Sequence, residues 1–164
     1  MREIIGIMAC DQNYVISNNG KLPWHCPEET AFYRNMIRNE IVIMGRKTFN
    51  EMPVSFTEDH TVIVFSRTLK SYGQVKFVSS LSEFYKIKDL PKDKRCFMVG
   101  GRELASLFLK NKALDRFYLS EINGYYPGDI YFPVKFLKHQ SRVIHKQEPS
   151  FIVYCYDKLK ESND

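Results

Sequence analysis

The sequence predicts an α/β fold built on a mainly parallel central sheet of about eight strands, closed by an antiparallel C-terminal hairpin and flanked by about four helices. Two observations carry that prediction. Short, continuous, β-branched apolar runs occur at residues 3–9, 41–44, 61–65, 96–99 and 114–119. Runs without alternation suit strands covered on both faces, as in a parallel sheet. Helix candidates at 28–38, 47–51, 81–86 and 102–110 fall between them, the alternation expected of an α/β fold. The C-terminal part reads differently. Runs at 140–147 and 151–157 are joined by Glu148-Pro149-Ser150, a hairpin signal.

Length and composition bound the rest. A chain of 164 residues with 44% hydrophobic and 26% charged residues is expected to form one soluble domain, spanning 1–164. No apolar run approaches the length of a membrane span. Residues 1–6 are too short and too broken by charge for a secretory signal, so a cytoplasmic location is the default, and monomer is the default assembly. Cys10, Cys26, Cys96 and Cys155 show no metal-ligand spacing, and no metal site is expected. They read as reduced, mostly buried thiols. The net charge of +5 is spread without a Lys/Arg run. A polyanionic small ligand therefore explains it better than nucleic acid.

Glu29 is the sharpest chemical clue. Pro27 suits the first position of a helix, and acids suit its first turn. Counting along the helical period from Glu29 gives Phe32, Tyr33, Met36 and Ile37. Glu29 thus lies on the apolar stripe and faces inward. A carboxylate there is costly without a partner, and burial drives its pKa upward. A helix-dipole role accounts for Glu28 but not for Glu29. Immediately before it, Asn18-Asn19-Gly20-Lys21-Leu22-Pro23 reads as a loop that ends at Trp24, the only tryptophan. A lid over a pocket is one reading. A plain surface loop anchored by Trp24 is the other.

Three strand ends suit phosphate. The run at 41–44 ends at Gly45, and Arg46-Lys47-Thr48 opens a helix. Another runs into Gly100-Gly101 before Arg102, and paired glycines permit close backbone approach. Ser66-Arg67 ends the strand at 61–65. In a parallel sheet these ends share one edge, where ligands gather. Together they suggest a bound dinucleotide, although the G-x-G-x-x-G and Walker A patterns are absent.

These residues resemble the dihydrofolate reductase family over residues 4–156. The resemblance rests on Leu22-Pro23-Trp24, Pro27-Glu28-Glu29 with Phe32 and Tyr33, Met44-Gly45-Arg46-Lys47-Thr48-Phe49, Phe65-Ser66-Arg67, Val99-Gly100-Gly101 and Gly128-Asp129-Ile130-Tyr131-Phe132-Pro133, in that order. It implies NADPH-dependent reduction of dihydrofolate to tetrahydrofolate. Glu29 would hold the amino group and ring nitrogen of the pterin, with Ser120 beside it and Trp24 reaching it through water. Ile7, Met8, Ala9, Tyr33, Met52 and Val99 would line the pocket, and Arg34 is the candidate for the substrate tail. Arg46, Lys47, Thr48, Ser66 and Arg67 would hold the cofactor phosphates. Ala9, Ile16, Gly45, Gly100, Gly101, Arg102 and Glu103 complete the cofactor side, with Gly100-Gly101 a cis pair and residues 16–24 the lid.

Three departures stand out. The family usually carries an arginine before the strand at 61–65, as a clamp for the folate tail carboxylate. Residues 53–60 hold none, and His60 is a poor substitute near pH 7. Arg34 and Arg38 are the candidates to compensate. Ala105 stands where a tyrosine is common, and Ser17 where a lid glycine is frequent. The competing expectations are a same-fold reductase of a tail-free pterin or riboflavin precursor, and a non-catalytic pterin- or nucleotide-binding protein.

Overall fold

A computed structural model describes residues 2–161. The central sheet has eight strands. In chain order they are β1 (Ile4–Asp11), β3 (Ile41–Gly45), β4 (Thr61–Phe65), β5 (Lys76–Val78), β6 (Cys96–Met98), β7 (Arg116–Ile122), β9 (Arg142–Gln147) and β10 (Phe151–Tyr156). Across the sheet the order is β5-β4-β3-β6-β1-β7-β10-β9. Neighbours from β5 to β7 are parallel, and the pairs β7/β10 and β10/β9 are antiparallel. The predicted parallel sheet with its antiparallel closure is therefore present.

Five helices connect the strands: α1 (Pro27–Ile37), α2 (Arg46–Asn50), α3 (Val54–Asp59), α4 (Leu81–Tyr85) and α5 (Arg102–Lys110). Four lie where the periodicity places them. The fifth, α3, occupies the segment that the sequence leaves without an element. A 3₁₀ turn spans Val134–Phe136, and a separate two-stranded ribbon pairs β2 (Val15–Ser17) with β8 (Ile130–Tyr131).

Both faces of the sheet are covered, which explains the unbroken apolar runs. Along β3, Ile41 and Ile43 join one core cluster with Cys96, Leu104 and Phe108, while Val42 and Met44 join the other with Ile5, Ile7, Trp24 and Phe32. Successive residues on a strand point to opposite faces, so one run feeds two cores. The four cysteines are free and buried. Among the described residues no helix is long and apolar enough to cross a membrane.

Capping follows the local chemistry at α4. Ser80 Oγ accepts from the backbone N–H of Glu83 at 3.1 Å, and Glu83 returns the bond by accepting from Ser79 N at 2.7 Å. That reciprocal arrangement resembles a capping box shifted by one residue.

Candidate active site

The carboxyl ends of β1, β3 and β6 meet on one edge of the sheet. Gly45 N donates to Gly100 O at 2.9 Å, and Val99 N donates to Ile43 O at 2.9 Å. These bonds lock the β3–α2 junction against the β6–α5 junction. The Gly100–Gly101 peptide is cis. Gly100 has φ +112, and a Cβ there would lie 3.1 Å from Met8 Cε. A Cβ on Gly101 would lie 3.9 Å from Thr48 Oγ1. Met8, Gly45, Thr48, Gly100 and Gly101 are thus brought together.

Cations surround this backbone. Arg46, Lys47, Arg67 and Arg102 are exposed, and among the described residues none takes part in a salt bridge. Ser66 Oγ accepts from Leu69 N at 2.9 Å and Thr68 N at 3.2 Å, which folds the chain back just after β4. Four unpaired positive groups beside open glycine backbone give this edge a positive field suited to an anionic ligand.

The acid lies on the other side of the edge. Glu29 is 9% exposed and shares the buried face of α1 with Phe32 and Ile37. Burial raises its pKa, and the nearby Ser120 hydroxyl offsets part of that rise. Ser120 is 1% exposed, and its Oγ has no hydrogen-bond partner of full geometry in the protein. The serine dipole favours the carboxylate without being committed to it. A buried hydroxyl left unpaired is rare, and here it adjoins an acid with no cation beside it. Ser120 pairs with Ala9 on β1 and Val153 on β10, so the sheet fixes its place.

Ile7 and Trp24 belong to the cluster behind this acid, and Ala9, Tyr33, Met52 and Val99 pack on it. Met8 and Ile16 pack on the opposite core, Met8 approaching Gly100 from that side. Arg34 and Arg38 are exposed, without a salt bridge among the described residues. Glu103 is exposed in the first turn of α5.

The loop at 16–24 is held from below. Ser17 O accepts from Asp129 N at 3.0 Å, and Asn19 N donates to the Asp129 carboxylate at 3.2 and 3.3 Å. Its tip turns through Asn19 and Gly20, both at positive φ, while Leu22 stands 68% exposed. Trp24 is buried and meets the edge of Tyr126 at 6.0 Å between ring centroids.

Sequence reasoning missed Asp11. This residue is fully buried. Its Oδ1 accepts from Asn13 N at 2.8 Å and Val15 N at 2.9 Å, and its Oδ2 accepts from Tyr126 N at 2.8 Å. It thus fixes the start of the loop and the ring that Trp24 packs on. The available signal was an Asp ending an apolar strand before Gln-Asn, the setting of an Asx turn.

The segment lacking an arginine forms α3, with Glu58 and Asp59 at its end. His60 is occupied locally: its ring stacks on Phe56 at 4.2 Å, and Nδ1 lies 3.1 Å from Phe56 O. Ala105 is fully buried on the inner face of α5.

Fold and site together define an α/β protein with a cationic, glycine-rich rim at the carboxyl edge of a parallel sheet and a buried acid on α1, the edge where such sheets bind their ligands. The family model described as dihydrofolate reductase matches residues 3–152, and the chain belongs to that family. A dihydrofolate reductase of Bacillus subtilis strain 168 is 32% identical over 128 residues, covering 77% of this chain and 73% of that protein. One from Ureaplasma parvum is 29% identical over 148 residues, covering 89% and 91%. One from Lactococcus lactis is 27% identical over 168 residues, covering 96% and 99%.

Proposed function

We propose that this protein reduces 7,8-dihydrofolate to 5,6,7,8-tetrahydrofolate, with NADPH as the reductant. The observation that carries the reading is Glu29, a buried carboxyl with no cation beside it and an unpaired Ser120 hydroxyl at hand. Such a pair is costly alone and well matched to a ligand edge that offers hydrogen-bond donors, such as the amino group and ring N–H of a pterin.

The rim fits a dinucleotide. Arg46, Lys47 and Arg67 are free to pair with phosphate oxygens, Thr48 and Ser66 supply hydroxyls, and Gly45, Gly100 and Gly101 allow close approach. Ala9, Ile16, Arg102 and Glu103 complete that side. When bound, NADPH supplies the hydride that C6 of the pterin receives. The residues of the chain do the rest. Glu29 orients and polarises the ring, Trp24 and Ser120 order water, and Ile7, Met8, Ala9, Tyr33, Met52 and Val99 exclude bulk solvent. A water delivers the proton to N5 while Glu29 remains hydrogen-bonded to the far edge of the ring. We read the protein as a monomeric, cytoplasmic, single-domain enzyme with a small-molecule substrate.

The direct test is NADPH consumption with dihydrofolate, run beside dihydrobiopterin. Preference for dihydrofolate supports the reading and assigns the tail to Arg34 or Arg38. Equal or better use of dihydrobiopterin favours a tail-free substrate, a reading that α3 supports by placing Glu58 and Asp59, with no cation, in the segment before β4. No consumption with either sinks both.

Within the phosphate-binding set of the rim we assign the 2′-phosphate to Arg67, just past the end of β4, and this assignment has its own test. Arg67→Ala is expected to raise the KM for NADPH by roughly 10–100-fold, the worth of one charge-assisted hydrogen bond. The KM for NADH should stay unchanged, because it lacks the 2′-phosphate. A parallel rise for both cofactors would remove Arg67 from that role.

A further inference from the structure

α5 carries a second cationic feature, at the end that points away from the cofactor rim. The helix starts at the rim with Arg102 and ends at Lys110, about 13 Å away along its axis. There a cavity of about 300 Å³ opens at the amino edge of the sheet, just before β7 begins at Arg116. Phe108, Leu114 and Leu159, all buried members of the core, form part of its wall. Core packing holds these side chains in place, so the cavity is preformed.

The charge around it is of one sign. Lys110, Lys112 and Lys135 line the cavity, and among the described residues no carboxylate does. None of the three joins a salt bridge among the described residues. Lys135 is steered by Phe136, another lining residue, with its ammonium 5.1 Å from the ring centre.

Solvated lysines at a helix end ordinarily need no further account, because cations complement the dipole there. Here α5 is already capped by its own backbone. Ala113 N donates to Phe108 O at 2.9 Å and Lys112 N to Leu109 O at 3.2 Å, the paired bonds of a Schellman turn. The left-handed residue of that turn is Lys112, at φ +51. Glycine is the usual occupant, because a side chain is strained in that conformation. Lysine thus stands where glycine would be more stable, on the rim of an apolar cavity.

Three ammonium groups around an apolar wall match an anion carried on an apolar body. Lysine is a point charge suited to phosphate, whereas carboxylate recognition favours the arginine fork. Among the described residues no arginine lines the cavity. We infer that this cavity, between the end of α5 and the turn at Val134–Phe136, is a second ligand site. It binds a phosphate monoester, with the phosphate on Lys110, Lys112 and Lys135 and the apolar part against Phe108 and Leu114. The site stands apart from the catalytic edge and from the reading given to it.

The test uses phenyl phosphate as probe and inorganic phosphate as comparison, each titrated into isotope-labelled protein and followed by amide NMR. The signals of Asn111, Lys112, Ala113 and Phe136 should shift saturably. Those of Gly45 and Gly101 report separately on binding at the cofactor rim. At the cavity, phenyl phosphate should bind roughly 10-fold more tightly than inorganic phosphate, because its ring leaves water. Lys112→Gly should weaken that binding roughly five-fold, the worth of one partly screened charge-assisted bond. Its Tm should equal or exceed that of the parent, since glycine relieves the strain. Lys135→Gln, which leaves the turn untouched, should weaken binding by a similar factor. No saturable shift at these amides overturns the site. Equal affinity for the two phosphates overturns it too, since the apolar wall would then play no part. Undiminished binding by both lysine variants does the same.

Discussion

Replacing Glu29 by glutamine is expected to reduce turnover by about 10²–10⁴, the usual weight of a positioned acid–base group, while NADPH binding stays close to that of the parent. Glutamine keeps the shape and one acceptor oxygen but cannot hold the negative charge that polarises the ring. The cofactor rim is built from other elements, α2, α5 and the end of β4, so its affinity should not follow. Trp24, the only tryptophan, gives a fluorescence readout of binding that is separate from catalysis. A fully active variant would end the role assigned to Glu29.

The same substitution carries a stability signature of opposite sign. The Glu29 pKa is raised above its ordinary 4.5, chiefly by burial. The native state therefore keeps that proton at pH values where the unfolded chain has released it. Protons bound in excess by the native state make stability fall as pH rises, from about the ordinary value through the raised one. Glutamine has no proton to lose. Parent and variant should thus unfold at similar temperatures at pH 4, and the variant should unfold at the higher temperature at pH 7. Lower activity with higher stability at neutral pH is what a group retained for function predicts. Equal Tm values at both pH values would show that the carboxylate carries no burial cost.

Much of the frame was legible in the sequence, for a reason visible in β3 and β4. Both are covered on both faces, so their runs contain almost no polar residue to confuse the reading. β5 has three residues on the sheet edge, two of them half-buried, and the two apolar residues after Lys76 are too short a run to register. α3 was missed because Val54, Phe56 and Thr57 favour strands, and its single turn and a half leaves no period to count. The β2–β8 ribbon depends on Asp129 meeting Ser17 and Asn19, a contact across more than a hundred residues that local patterning does not encode. The site divides in the same way. Glu29 was visible because a helical period converts position into facing. Ser120 was reached only through family resemblance, since Ser120 and Glu121 are both polar and adjacent. In the fold, Ser120 lies near Glu29, while Glu121 acts on Tyr14 and Cys10 on the other face. Asp11 was missed because its partners are backbone N–H groups, which have no sequence signature of their own.

Gly6→Ala is the structural counterpart, expected to cost ~1–3 kcal/mol and to lower Tm by roughly 3–10 °C for a chain of this size. Gly6 is buried in the middle of β1, opposite Phe117 on β7. A Cβ there would lie 2.3 Å from Phe117 Cδ2 and 2.5 Å from Cε2, well inside van der Waals contact. The ring cannot swing away freely. Phe117 is fully buried, and Phe132 meets it edge-on at 5.3 Å. The glycine is needed for space, and its conformational freedom plays no part. A second substitution makes the cause testable. Phe117→Leu removes ring atoms from the clash while leaving a cavity of its own. If the ring is what the added methyl group strikes, the double variant loses less stability than the two single losses added together. Strict additivity, or a Gly6→Ala protein as stable as the parent, would show that the sheet relaxes around the methyl group. Because Ile7 and Ala9 follow on the same strand, activity per folded molecule well below Tm also reports whether distortion at Gly6 reaches the pocket wall. Unchanged kcat there would place the whole effect on stability and leave the site geometry to the strand ends.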